Sequence, residues 1–387
     1  MDVERFTEWE PRELELTADE RVELLALAKP GSVAGDERRV VQALAPTSSD
    51  GRLSITFGSV SGRLALRSGR VLDLRSRLVD NDGVLQLLQV TGRLPDVLRE
   101  APTPGAVGWG VVDVLAVALS REVDRLVGEG LAKDYVPHRV ERPPYPGALD
   151  VREHLGRFAA RADRLVTRTR RLTADTPRNQ ALAAAVAALQ RCGLQPSARR
   201  AIERTAGALR SISASVLDPS GVRALIGAHR LGRYDPALRL AALVADGRGL
   251  EASGAGLPSA SVLFHLPSLW EDYVAAWVQV THPGRRVTTQ HPFAVTEGGE
   301  ITGRADVVVL ADGEQPAELF DAKYKRVGAV PSAGDVYQMV TYCQRWQVQR
   351  ATLVYPGAGP TTSVRVGDVR VEVVRLPVLT SPTRPVG

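Results

Sequence analysis

The sequence predicts a multidomain α/β protein of the α+β kind. It places a β-rich N-terminal domain over residues 1–104, a helical, arginine-rich middle over 105–250, and a C-terminal mixed sheet flanked by helices over 251–387. Three observations carry this reading. A chain of 387 residues with 44% hydrophobic side chains has material for more than one core. Its apolar spacing runs at two residues near the start, at three to four in the middle, and at both in turn near the end. Stretches rich in proline, glycine and small residues, "APTPGAVGWG" and "ADGRGLEASGAGLPSAS", separate the three regions.

The elements follow in order. "DERVELLALA" has helical spacing, and "GRLALRSGRVLDL" sets Leu64 and Leu66, then Leu72 and Leu74, on two short strands joined at "RSGR". "VLQLLQVTG" begins a more helical region. From Asp113 to about Ser213 the pattern predicts helices, among them "DVLAVALSREVDRLVGEGL" and, after "ERPPYPGALD", "VREHLGRFAARADRLVTRTRRL". Thr176 before Pro177 reads as an N-cap and first helical position, with Gly193 a stop. Val262 to Val280 reads as a helix, Arg286–Ala294, Gly303–Leu310 and Ala317–Lys323 as three strands, Ala333–Trp346 as a crossover helix, and "RATLVYP" as a returning strand.

Charge and cysteine usage exclude some classes. The net charge is +5, and Val151 to Ser211 alone holds 13 arginines against four acids. That surplus is either a set of solvated helix faces or a surface for phosphate or a subunit, with Arg161, Arg164 and Arg168 the candidate DNA contacts. Cys192 and Cys343 have no CxxC spacing, so neither a disulfide framework nor a thiolate metal site is expected. The start is acidic and no long apolar run occurs, which predicts a cytoplasmic protein without membrane attachment. No G-x-x-x-x-G-K-[ST] is present, so any nucleotide hydrolysis must come from a partner. "GSVSG" at 58–62 lacks the central serine of a nucleophile elbow and reads as a turn. His265, His282 and His291 lack zinc spacing and read as surface or internally satisfied side chains.

The chemistry concentrates between residues 300 and 345. "GRADVVVL" starts a buried run with Asp306, and "AELFDAKYK" ends the next with Asp321 and Lys323, which alternation puts on one face. A tight turn at "ADGEQP" makes the strands antiparallel neighbours and brings Asp306 beside Asp321. Two such carboxylates repel, and a hard divalent cation relieves the cost. Asp306 and Asp321 would hold Mg²⁺, with the Ala322 carbonyl a further ligand, a site suited to phosphodiester hydrolysis. The chain has only four lysines among 49 basic residues. Lys323 can position or deprotonate a water, a role closed to arginine. Glu271 in "LWEDYV" can supply a third carboxylate, with Asp272 the alternative, and Gln338 and Tyr342 in "DVYQMVTYC" share a helix face. Lys325 reads as a surface or DNA-backbone contact.

Helix Glu, strand Asp, D-x-K and Q-x-x-x-Y in this order resemble the PD-(D/E)xK nucleases of the RecB-like branch. The wording "LWEDYV … GRADVVV … FDAKYK … DVYQMVTYC … LVYP" is similar to the McrC family of McrBC modification-dependent (5-methylcytosine) restriction systems, and "DTPRNQAL" resembles another segment of that family. The likeness is strong over about 260–356, moderate over 150–215 and faint over the first 100 residues. It implies a C-terminal PD-(D/E)xK domain, metal ligands Asp306 and Asp321, catalytic Lys323, helix acid Glu271, and Gln338 and Tyr342 shaping the site or touching DNA. It also implies Mg²⁺ or Mn²⁺, modified double-stranded DNA as substrate, and an AAA+ GTPase partner that is the only source of GTP dependence and that the N-terminal domain engages. Asp306 follows "GRA" where the family often has a proline. Two other readings remain: a non-catalytic activator of the GTPase, and a stand-alone repair nuclease.

Overall fold

A computed structural model of the chain describes residues 3–28, 39–47, 52–94, 109–158, 164–214, 218–227, 232–248, 261–296, 298–311 and 315–378. The N-terminal part contains β1 (Val3–Thr7), β2 (Arg12–Glu15), α1 (Ala18–Leu27), β3 (Val41–Pro46), β4 (Arg52–Phe57), β5 (Val60–Ala65), β6 (Val71–Arg75) and α2 (Asn81–Val90). Thr17 caps α1 in a reciprocal box with Glu20, which satisfies two backbone donors at the helix start. The hairpin expected at "RSGR" is β5–β6, with Leu64 opposite Leu72. Its inward leucines join Phe6, Ile55 and Phe57 in one core. "GSVSG" is only half a turn, because Val60 to Gly62 already belong to β5.

The middle departs from the all-helical expectation. Helix α3 (Val111–Gly128) is followed by β7 (Asp134–Val140), β8 (Ala148–Leu149), α4 (Val151–Phe158) and β9 (Thr167–Thr173), then α5 (Pro177–Gln190), α6 (Pro196–Ala208), α7 (Pro219–Leu225) and α8 (Asp235–Arg248). β9 pairs with β7 and β8 in a three-stranded sheet. "TRTRRLT" is rich in β-branched threonine and has ladder partners available, so it extends where the helical periodicity of "VREHLGRFAARADRLVTRTRRL" predicts a helix. Thr176 and Pro177 start α5 as expected.

The predicted helix from Val262 begins instead as β10 (Val262–His265), and α9 (Leu266–Thr281) starts with Pro267 in its first turn. β10 adds to the N-terminal sheet, in the order β1-β6-β5-β10, so that sheet joins residues from both sides of the boundaries expected at 104 and 250. Close approach there requires glycine: Gly62 has φ +134°, and a Cβ on it would stand 2.2 Å from the Val262 carbonyl oxygen. Of the two junctions, residues 95–108 and 249–260 lie outside the described residues, and Ala245 to Arg248 finish α8.

The last sheet has the order β11-β12-β13-β14-β16-β15, built from β11 (Arg286–Ala294), β12 (Thr302–Leu310), β13 (Pro316–Ala322), β14 (Arg350–Pro356), β15 (Thr362–Val366) and β16 (Val369–Leu376), with α10 (Ala333–Trp346) between β13 and β14. β11, β12 and β13 form the expected antiparallel meander, and β14 returns parallel to β13. The turn residues 312–314 lie outside the described set. The β15–β16 hairpin, beyond the last element that the sequence pattern predicts, completes the mixed sheet.

Strand alternation divides this sheet between two cores. Val307, Val309 and Phe320 join the core that includes α9, while Val308, Leu310 and Leu319 pack with Val336, Met339 and Cys343 of α10. Asp306, Asp321 and Lys323 share the parity of the second set. They therefore project on the α10 side.

Candidate active site

Val307 stands opposite Phe320 in the β12–β13 ladder, and the next step of that register places Asp306 against Asp321. The Asp306 Oδ2 atom accepts the amide of Ala322 at 2.8 Å. Asp321 is 2% exposed. Burial, reinforced by Asp321, pushes the Asp306 carboxyl up to about 6. Burial also raises Asp321, against the pull of Lys323.

Lys323 continues the line of Asp321, with its amide bonded to the Val354 carbonyl at 2.9 Å. Its Nζ is ion-paired with Asp321 Oδ2 at 2.8 Å and donates to Gln338 Oε1 at 2.9 Å. Burial opposes the charge on Lys323. Asp321, the contact with it, Asp306 and Asp335 outweigh burial and raise the lysine above its ordinary value. In this arrangement Lys323 is a held ammonium, which suits charge stabilisation better than proton removal.

Helix α10 supplies the rest because Ser332 caps it, accepting from the Asp335 amide at 3.2 Å. Gln338 is the hub: Nε2 donates to Asp321 Oδ1 at 3.3 Å and to the Tyr342 hydroxyl at 3.0 Å. The Tyr342 ring packs edge-on against Phe293, centroids 4.7 Å apart. Asp306, Asp321, Lys323, Gln338 and Tyr342 are thus brought together from β12, β13, its following loop and α10.

Glu271 and Asp272 take different places. Asp272 is ion-paired with Arg93, beyond α2. Glu271 accepts a bond from Gln290 Nε2 at 3.0 Å. Among the described residues no three acidic, histidine or cysteine side chains cluster as metal ligands, so Glu271 does not complete a trio with the two aspartates. Its helix packs on the opposite face of the sheet. Gln290 is a residue that sequence reading missed. It falls opposite Asp306 in the β11–β12 register and has φ +52°, a left-handed conformation that a glutamine adopts only under constraint. Nothing in the local sequence signals it.

The remaining candidates separate. Lys325 is committed to buried Asp335, 2.8 Å from each carboxylate oxygen, and Tyr355 donates to the same group at 2.8 Å. Arg161 lies outside the described residues. Arg164 is in the coil after α4, near the Phe158 ring, and Arg168 is on β9 paired with Asp150 at 2.5 Å, so these two share no helix face. His265 caps α9, His282 ends it against Phe320, and His291 packs on Trp346. Both cysteines are buried and neither forms a disulfide. No helix among the described residues is long and apolar enough to cross a membrane.

The chain is a mixed α/β protein whose last sheet presents two apposed aspartates and a lysine, braced by a glutamine and a tyrosine from the covering helix. The chain belongs to the family of McrBC 5-methylcytosine restriction system components, whose model matches residues 55–356 and so spans every one of these site residues. The fold is similar to a chain of the refined half-complex from the tetradecameric assembly of Thermococcus gammatolerans McrB AAA+ hexamers with bound McrC. That match has 14% identity and a TM-score of 0.66, and covers 97% of this chain and 95% of that one. The cryo-EM structure of the Thermococcus gammatolerans McrBC complex also matches, at 14% identity and a TM-score of 0.47, over 74% of this chain and 90% of that one. No curated protein matches the chain.

Proposed function

We propose that this chain is the DNA-cleaving subunit of a McrBC-type restriction or phage-defence system, a metal-dependent endonuclease of the PD-(D/E)xK type that works with an AAA+ GTPase. The observation that carries the reading is the apposition of Asp306 and Asp321 with Lys323 held 2.8 Å from the second carboxylate. Family membership supports the restriction role, and the complex with McrB hexamers, to which the fold is similar, suggests the partner.

The donor set fits a hard divalent cation. Two apposed carboxylates, both raised above the usual carboxylate range by burial, are stabilised by added positive charge. Asp306 and Asp321 would hold Mg²⁺ or Mn²⁺, with the Ala322 carbonyl the further protein ligand. When bound, the ion polarises a phosphodiester and acidifies water. Lys323 faces the charge that develops on the phosphate, and Gln338 keeps its Nζ in register. Tyr342 and Phe293 wall the site on the α10 side. The recognition of modified DNA and GTP hydrolysis reside in the partner.

The test is cleavage of methylated and unmethylated plasmid by the purified protein in Mg²⁺ or Mn²⁺, with and without its GTPase partner and GTP, beside Lys323→Ala. Cleavage lost in the variant and dependent on partner and methylation supports the reading. Equal inertness of both proteins, with the partner bound and hydrolysing GTP, would move a non-catalytic activator ahead. Partner-independent cleavage would favour a solitary nuclease.

A further inference from the structure

The residue between the two active-site-loop lysines is tied to the opposite end of the chain. Tyr324 follows Lys323 and, by alternation, points away from α10. Its hydroxyl lies 2.5 Å from Ser76 Oγ and donates to Glu8 Oε1 at 3.3 Å. Ser76 donates to the same Glu8 oxygen at 3.0 Å, and the Arg77 amide donates to it at 3.0 Å. Glu8 directly follows β1 and is fixed there by its own amide bonding the Arg75 carbonyl at 2.9 Å. Ser76 directly follows β6, where its Oγ also accepts the amides of Leu78 and Val79. Arg326 adds a bond to the Arg77 carbonyl at 3.4 Å. The ends of two parallel N-terminal strands therefore grip the loop that leaves the D-x-K strand.

We propose that Tyr324 is a positioning residue and that Glu8, Ser76 and Tyr324 form a latch through which the N-terminal sheet sets the place of Lys323 in the active site. This rests on the nuclease reading above. Lys323 is held on one side by the Val354 carbonyl, and the Lys325 amide bonds back to the Lys323 carbonyl at 2.9 Å, so Tyr324 is the apex of a tight turn. A displacement of that apex is passed through one peptide unit to the lysine, whose Nζ must meet both Asp321 and Gln338. Glu8 is 1% exposed, and its Oε2 has no hydrogen-bond partner, so the grip leaves one buried acceptor unsatisfied.

Tyr324→Phe keeps the ring and removes the hydroxyl, and Glu8→Gln keeps an acceptor while removing the charge. Both variants, their double and Lys323→Ala are compared with wild type in the presence of the GTPase partner, with backbone hydrogen exchange of residues 322–326 and direct Mn²⁺ titration. The latch predicts for Tyr324→Phe a kcat lower by about tenfold or more at unchanged KM and Mn²⁺ affinity. It also predicts faster exchange confined to the loop, and a double variant no worse than the worse single. Wild-type kcat and exchange in folded Tyr324→Phe, or strictly additive losses, overturn it. If Lys323→Ala cleaves like wild type, the nuclease reading falls, while the exchange data still decide whether the loop is latched.

Discussion

Asp321 near the end of β13 and Lys323 just past it lie two residues apart, with Nζ 2.8 Å from Oδ2. Because Asp321 is buried and Gln338 bonds both partners, the pair is a fixed geometry and not a surface contact. A guanidinium is planar and longer, and cannot occupy the same point between carboxylate and amide. Lys323→Arg is therefore expected to fold but to lose cleavage about as fully as Lys323→Ala, on the order of a hundredfold or more. Single-turnover cleavage assays with the GTPase partner check this, and substantial activity in the arginine variant would reduce Lys323 to a mere counter-ion.

Asp306 predicts a pH dependence with a definite sign. Its folded value of about 6 is raised above the ordinary 3.8, so the fold prefers the protonated carboxyl. That contribution is fully present below about 4 and is lost as pH rises through about 6. Cation binding has the opposite sign, since it needs the carboxylate. Mn²⁺ affinity by calorimetry should climb between pH 5 and 7 and then level. Asp306→Asn should raise thermal stability at neutral pH by about 1–2 kcal/mol and abolish the Mn²⁺-dependent rise in Tm.

The Asp335 network should be structural. Burial pushes this carboxyl up, but hydrogen bonds from Lys325, Ser332 and Tyr355 outweigh it and hold it below its ordinary value. Tyr355→Phe should cost about 1 kcal/mol in urea unfolding, and Lys325→Met more, because the latter leaves a buried carboxylate without its cation. DNA affinity unchanged in Lys325→Met would show that the lysine serves Asp335 and not the DNA backbone.

A larger loss is expected at Arg63. This arginine, 1% exposed, donates to Asp113 Oδ1 at 3.1 Å and the Gly193 carbonyl at 2.7 Å, joining β5, α3 and the α5–α6 connection. Asp113 also accepts the Gln195 amide at 2.8 Å. Arg63→Ala should destabilise by about 3–5 kcal/mol, with a strong coupling to Asp113→Ala in a double-mutant cycle.

Both thiols should be silent in the native protein. Cys343 is buried and burial pushes its thiol up to about 11, and Cys192 is fully buried. A thiol reagent at neutral pH should label neither natively and both after denaturation. Fast native labelling of Cys343 would mean that α10 opens away from its sheet.

The residues of "DTPRNQAL" show how a legible motif can carry structure instead of chemistry. Asn179 is fully buried on α5, donates to the Ala174 carbonyl at 2.6 Å and the Ala132 carbonyl at 3.0 Å, and accepts from the Tyr234 hydroxyl at 2.9 Å. One amide thus ties α5 to the segment after α3 and to the turn that precedes α8. Its sequence neighbours give the helix start, but none of its partners.

Local pattern was enough to read the C-terminal meander, the crossover helix and the shared face of Asp306, Asp321 and Lys323. Alternation and 3.6-residue spacing are local properties, and a short antiparallel connection leaves little freedom in register. Gln338 and Tyr342 were legible for the same reason, being one helical turn apart. The rest depends on long-range packing. It made "TRTRRLT" a strand by offering it β7, gave β10 to the N-terminal sheet, sent Asp272 to Arg93 and Glu271 to Gln290, and set Tyr324 against Glu8 across the length of the chain. Each of those outcomes depends on a partner distant in sequence, and no periodicity within a segment encodes which distant group will satisfy its hydrogen bonds and charge.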